Sequence, residues 1–395
     1  MRRRTTLALA TTLTSVAALA PTLSASAAPS ASSTTHRSKA VCSHAATGHA
    51  RCFAHVRTKD DGITPNATTT YASGYNPAQL RKAYGLTTSS TATVAIVDAY
   101  AHPSAAVDLA AYRKQFGLGT ATLTQVNQRG GATLPAGDTG WGQEEMLDLE
   151  MVSAVCPGCK ILYVGADSAS FANLAAAVDR AVALGAKVVS NSYGGSESSG
   201  VSTYAASYDH PGVAITVSSG DSGYGVQSPA SYNTVTAVGG TNLPLDATGN
   251  RTGAETVWSG AGSGCSSYIV KPSWQHDSGC SRRTVADVSA VADPNTGVAV
   301  YDSYGSTGGA NWFVFGGTSV AAPLIGGVYA LSGNTAGVPA QLAYNAPTGT
   351  LLDVTSGSNG RCVKGRTSGT AYLCTGGVGY DGPTGIGTPK GTGGF

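Results

Sequence analysis

Charge is what this chain has least of. Asp, Glu, Lys and Arg make up 12% of its 395 residues and nearly cancel, leaving a net +2. Such a balance offers no electrostatic footprint for nucleic acid or another polyanion. Histidine is scarce too. Of seven, His36, His44, His49 and His55 precede residue 66, so His102, His210 and His276 are all that remain for the rest of the chain. Long apolar runs are missing after the first one, so no membrane-spanning segment is expected beyond it. That first run, Leu7–Leu23, follows Arg2, Arg3 and Arg4 and ends at Ala25-Ser26-Ala27. It has the layout of a secretory signal peptide, residues 1–27, cut after Ala27.

What is present fits an exported globular protein. The chain is 42% hydrophobic with 53 glycines, which argues against disorder and for a loop-rich fold. Its length accommodates one large α/β domain with appendages, or two domains. The eight cysteines fall into four sequence-local pairs: Cys42 with Cys52, Cys156 with Cys159, Cys265 with Cys280, and Cys362 with Cys374. An even count in an exported chain favours disulfides. Cys156-Pro157-Gly158-Cys159 ends a helix and precedes a strand, the reverse of the order that activates a thiol, so it reads as a staple.

Residues 28–66 are polar and small. Their histidines, with Cys42 and Cys52, could be drawn as a zinc site, but the spacing matches no standard pattern, and a stapled leader is the expectation. From Tyr75 the pattern changes. A short helix (NPAQLRKAYGL) precedes a buried strand that ends at Asp98, and a helix follows over Pro103–Phe116. Strands are predicted at 160–166, 187–193, 213–219 and 235–241, with a helix at Phe171–Leu184. Apolar strands alternating with helices predict an α/β fold with a mostly parallel sheet covered on both faces, its ligands beyond the carboxyl ends of the strands.

Two stretches carry chemistry. In GQEEMLDLEMVSAV (142–155), Leu147, Met151, Ala154 and Val155 form the apolar stripe of a helix. Glu144 and Asp148 fall on that stripe, four residues apart, while Glu145 and Glu150 point away. Carboxyls on a buried stripe raise each other's proton affinity. The second stretch is Phe315-Gly316-Gly317-Thr318-Ser319-Val320-Ala321-Ala322-Pro323, where Ser319 opens a helix whose free N–H groups favour developing negative charge. Ser319 also reads as a simple N-cap, and Glu144 and Asp148 as rim residues that touch solvent.

GTSVAAP resembles the nucleophile motif shared by subtilisin-like and sedolisin-like serine peptidases. The Gly-His-Gly-Thr-His context of a subtilisin base is absent. Glu144, Asp148, Asp221 in SSGDSG, and Ser319, in this order, resemble the sedolisins, the serine-carboxyl peptidases, from about Tyr75 to Pro389. The resemblance implies a subtilisin-like fold for residues 67–395 and a secreted, monomeric peptidase acting on proteins or peptides in acid. It implies Ser319 as nucleophile, Glu144 as base, Asp148 hydrogen-bonded behind it and a protonated Asp221 at the oxyanion. Asp98 would extend the carboxyl chain, and Ser192, Tyr193 and Gly194 would pair with substrate backbone. It also implies a C-terminal calcium loop: the Asp353 and Asp381 carboxylates with the main-chain carbonyls of Val354, Gly377 and Gly379. Asp287 and Asp293 receive no catalytic role. Two rivals stay open, a hydrolase using Asp98 with His102, His210 or His276, and a binding protein on a decayed peptidase scaffold.

Overall fold

A computed structural model describes Met1 and residues 36–362 and 368–395. The signal-peptide reading lies outside the described residues. Three short strands come first: β1 (Ser38–Ala40), β2 (Arg51–Cys52) and β3 (His55–Arg57). Helix α1 (Pro77–Ala83) begins at Asn76, whose side chain accepts from Gln79 N–H while the Gln79 side chain accepts from Asn76 N–H. This reciprocal cap, with proline at the first helical position, fixes the helix start.

The alternation then runs β4 (Thr93–Ala99), α2 (Ala105–Gln115), β5 (Thr122–Asn127), α3 (Thr139–Val155), β6 (Lys160–Ala166) and α4 (Phe171–Ala183). It continues through β7 (Val188–Asn191), β8 (Tyr193–Ser196), β9 (Ala214–Ser218), β10 (Gln227–Ser228), β11 (Thr236–Asn242) and β12 (Thr256–Val257). A hairpin, β13 (Gly264–Val270) and β14 (Arg282–Val285), precedes β15 (Val288–Val291), β16 (Val298–Tyr301) and β17 (Trp312–Gly316). Helix α5 (Thr318–Ser332), helix α6 (Ala340–Tyr344) and the strands β18 (Leu351–Leu352) and β19 (Thr388–Pro389) complete the order.

Eight strands form the central sheet, in the order β12-β11-β9-β7-β4-β6-β5 with β15 also on β11, and every pairing but β11 with β12 is parallel. Strand β4 shows why. Val94 and Ile96 enter one hydrophobic core with α3 and α5, while Ala95 and Val97 enter a second with α4. A strand apolar on both sides has to be covered on both sides. Asp98 falls at its carboxyl end.

Two expectations need correction. The stretch 187–193 is not one strand: β7 stays in the central sheet, and at Ser192 the chain leaves it for a separate sheet ordered β10-β8-β2. Glu145 and Glu150 do not face water, because α3 is wrapped by α1, α2, α5, β4 and β16, and every residue from Glu144 to Val155 is buried. The period of a sequence gives an angle around the helix, and depth depends on what packs behind it. All four disulfides pair as their spacing suggested.

Helices α3 and α5 touch where a side chain is missing. A Cβ on Gly327 would stand 2.2 Å from Val155 Cγ2. Pro323 is the sixth residue of α5, deeper than the first turn, and its ring nitrogen cannot donate to the Ser319 carbonyl one turn back. Ser192 Oγ lies 3.5 Å from that carbonyl.

Candidate active site

Ser319 is the second residue of α5 and fully buried. The strand β17 delivers it through Gly317, at φ 101°, a conformation that a β-carbon makes costly. Its hydroxyl donates to the Ser192 carbonyl at 3.3 Å. It also lies near enough to the Glu144 carboxyl to lower that group's proton affinity.

Glu144 Oε2 accepts from the Ala54 N–H at 2.8 Å, and Oε1 has no protein partner. Burial first, and Asp98 second, push its proton affinity well above the usual carboxylate range. One turn on, Asp148 accepts from Ser192 Oγ at 2.9 Å and leaves Oδ2 unpartnered. Burial, then Asp98, then Glu144 hold its proton in the same way. Asp98 is fully buried with neither oxygen bonded, and desolvation raises it too. Three carboxyls so placed cannot all ionise, and their protons come off as a set. The expectation placed Asp148 in hydrogen bond behind Glu144. Its bond instead goes to Ser192, and the link to Glu144 is electrostatic.

Asp221 approaches from the other side. Its Oδ1 accepts from Thr318 N–H at 2.8 Å and Thr318 Oγ at 2.6 Å, and its buried Oδ2 is unpartnered. Burial pushes its pKa up to about 7 despite those two bonds, so in acid Oδ2 carries a proton and can donate. The site thus assembles a hydroxyl, a base for it and a neutral acid at a helix start, the parts acyl transfer needs.

The substrate strand divides. Ser192 and Gly194 face the site through Asp148 and Phe53, while the Tyr193 ring is buried on Asn191 and Tyr208. The remote histidines are engaged elsewhere. His102 Nε2 lies 2.8 Å from Asp302 and 3.4 Å from Asp108, with Nδ1 accepting from Ser104 N–H. His210 pairs with Asp179, and His276 is exposed. None has Ser319 as a partner in the contacts described. Sequence reasoning missed His55, whose Nε2 lies 3.6 Å from Asp221 Oδ2, and burial lowers its pKa to about 4. It also missed Thr318, although its place between Gly317 and Ser319 is the signal that could have found it. Asp287 is buried on Arg283 and Tyr344.

At the C-terminal end Asp353 accepts from Gly379 N–H at 2.8 Å, and Asp381 accepts from Gly377 N–H at 3.1 Å and from Thr384. Burial raises Asp381 to about 7, and the Asp353 charge pushes in the same direction. Two carboxylates that repel one another are a donor type that suits a hard divalent cation such as calcium, and the glycines meet them here through N–H groups. A separate group within reach of one ion, His102, Asp108 and Asp302, was not foreseen.

The subtilase family profile matches residues 59–342. Sedolisin from Pseudomonas sp. (strain 101) is 32% identical over 371 residues, covering 80% of this chain and 60% of that protein. Xanthomonalisin from Xanthomonas sp. (strain T-22) is 28% identical over 390 residues, covering 80% of this chain and 44% of that protein. The chain therefore spans less than two thirds of these curated relatives. Pseudomonas sedolisin, a serine-carboxyl proteinase solved with two molecules of pseudo-iodotyrostatin, superposes with a TM-score of 0.69 at 28% identity, over 81% of this chain and 96% of that one. A lanthipeptide protease shares the fold at 15% identity and a TM-score of 0.51, over 80% and 91%.

Proposed function

From the premise that the chain belongs to the subtilase family and is sedolisin-like within it, we propose that it is a serine-carboxyl peptidase that cuts proteins or peptides in acid. The observation that carries this reading is the set of unpartnered, buried carboxyl oxygens on Glu144, Asp148, Asp98 and Asp221 around one helix-tip hydroxyl. Ser319 Oγ attacks the scissile carbonyl, and Glu144 takes its proton and then returns it to the leaving amine. The Ser319 N–H and protonated Asp221 donate to the oxyanion. Asp148 and Asp98 keep the pair's proton from escaping. Ser192 Oγ ties Asp148 to the nucleophile's helix, because it lies within reach of both Asp148 and the carbonyl that Pro323 leaves free.

Residues 1–27 serve as the export signal in this reading, and four disulfides support an extracellular destination. Calcium would be held by Asp353, Asp381 and the carbonyls of Val354, Gly377 and Gly379, where it would balance the two carboxylates and brace the C-terminal loop. The test is hydrolysis of a peptide library from pH 3 to 9 by wild type and Ser319→Ala. Turnover in acid only, and only with Ser319, is expected. Turnover that peaks in alkali would point to an imidazole base, and none at any pH to a scaffold without catalysis.

A further inference from the structure

Outside the active site, His102, Asp108 and Asp302 have the spacing of a metal centre. The His102 Nε2 lies 2.8 Å from Asp302 Oδ1 and 3.4 Å from Asp108 Oδ2, and all three side chains are buried. The other ring nitrogen decides what fills the cluster. Ser104 N–H donates to Nδ1 at 3.0 Å, so Nδ1 carries no proton and the one proton of the neutral ring is on Nε2. A metal-bound imidazole needs the reverse, a lone pair on Nε2 and a proton on Nδ1. The ring is therefore a donor, and its N–H stands between the carboxylates where an ion would be.

This clasp joins three parts of the fold. Asp108 belongs to α2, Asp302 opens the 302–311 loop between β16 and β17, and His102 ends the turn that follows β4. Asp302 Oδ1 also accepts from Tyr304 N–H at 2.9 Å, and Asp108 accepts from Ser303 N–H at 2.8 Å and from its hydroxyl at 2.9 Å. These bonds draw the loop over the start of α3. The Tyr304 ring meets the His102 ring edge-on, with centroids 5.4 Å apart. A Cβ on Gly142, in the first turn of α3, would stand 3.1 Å from the first ring and 3.2 Å from the second. His102 N–H donates to Glu145, the residue after Glu144, at 2.6 Å. At the other end of the turn is Asp98. Tyr100, between them, sits at φ 67°, a costly angle for a bulky residue, with its N–H on the Ala166 carbonyl and its own carbonyl on the Tyr163 hydroxyl. Glu145 and Glu150 from α3, Asp108 from α2, and Asp302 and Tyr304 from the loop are the titratable groups round the clasp.

We infer that His102 is a positioning residue: its Nε2–H, held by Asp302 and Asp108, fixes the first turn of α3 and the Asp98 turn against the 302–311 loop, and so sets where Glu144 stands opposite Ser319. This rests on the peptidase reading above. It gives the imidazole a part in the reaction without any contact with Ser319 or substrate.

Two substitutions separate the two ring nitrogens. His102→Asn keeps an acceptor for the Ser104 N–H and has nothing at the place of Nε2, whereas His102→Gln carries an N–H donor at the longer reach. Peptide hydrolysis across the acid range is measured for wild type, both variants and Glu144→Gln, with a thermal melt at each pH. His102→Asn is expected to lower kcat by ~10- to 100-fold, the scale of a small misplacement at the chemistry, with KM changed by less than ~2-fold and the pH profile displaced. His102→Gln should regain most of the lost kcat. A loss of rate that only follows the folded fraction, with the pH profile unmoved, overturns the positioning role and leaves the peptidase reading standing. No recovery in a folded His102→Gln overturns the assignment to Nε2–H. If both His102 variants are inert while Glu144→Gln turns over, imidazole is the base and both readings fall, as they do if wild type cuts nothing. Cobalt(II) added to wild type gives the second measurement. No absorption band is expected that His102→Asn loses, and one that it does lose would put a metal in place of the proton and overturn the inference.

Discussion

Helix α3 buries four carboxyl groups, and its two faces use them differently. On the sides turned from Ser319, Glu145 accepts from His102 N–H at 2.6 Å and from Gln125, and Glu150 accepts from Tyr301 N–H at 3.0 Å. These groups hold the chain after β4 and the end of β16 against the helix. On the other face Glu144 and Asp148 look toward Ser319, with Asp98 behind them. Burial is the first cause of raised proton affinity in all four, and Glu150 even keeps an unpartnered oxygen as Glu144 does. A perturbed carboxyl is therefore no sign of catalysis by itself. A backbone amide does not separate them, since Glu144 accepts from Ala54 N–H as Glu145 and Glu150 accept from theirs; what does is the added neighbours of Glu144 and Asp148, the hydroxyls of Ser319 and Ser192.

The sharpest way to break this contrast is a pair of isosteric changes. Glu144→Gln should lower kcat by roughly 10²–10⁴-fold, the range for losing a general base. Glu145→Gln should leave kcat within a few-fold and cost ~1–2 kcal/mol of stability as its bonds weaken. Peptide kinetics beside thermal melts decide it, and equal losses of kcat would erase the distinction between the faces.

A second effect is read against pH. With Asp221 raised to about 7, activity should fall as pH rises through that value and the oxyanion acid becomes an acceptor. Asp221→Asn keeps a donor at every pH, so it should flatten this limb while losing ~10-fold or more in acid. Stability follows the other face too. Glu145 has a folded pKa above its unfolded value, so the stabilisation is complete below ~4.3 and lost as pH rises through the folded value. The melting temperature of wild type should thus decline from acid toward neutral, and that of Glu145→Gln should decline less. A parallel decline in both would assign the slope to other groups.

The smallest change expected is at Ser192. Removing its hydroxyl in Ser192→Ala frees Asp148 from its one hydrogen bond, and should cost a few-fold in kcat with a displaced pH profile. An unchanged profile would mean that Asp148 acts on Glu144 through charge alone.

Much of this was legible beforehand. The run Thr93–Ala99 reads as a strand covered on both sides because its apolar residues do not alternate with polar ones, and the Gly-Gly-Thr-Ser start of α5 reads as a helix tip with room for a ligand. The pairing of Ser319 with Glu144, far apart in the chain, came from resemblance, since spacing cannot say which helices meet. The depth of Glu145 and Glu150 was unreadable because the α1, α2 and β16 layers that cover them are set by tertiary packing. Strand β2 was invisible for a related reason. Arg51 and Cys52 make a strand only by borrowing an edge from β8, and two residues carry no period.

The close approach of Gly327 to Val155 has a consequence at the far end of both helices. From that contact, α5 runs back about two turns to Ser319, the proposed nucleophile, and α3 about three turns to Glu144, its proposed base. The missing methyl therefore acts as a gauge block under two levers, setting the gap between Ser319 and Glu144 from a point well away from both.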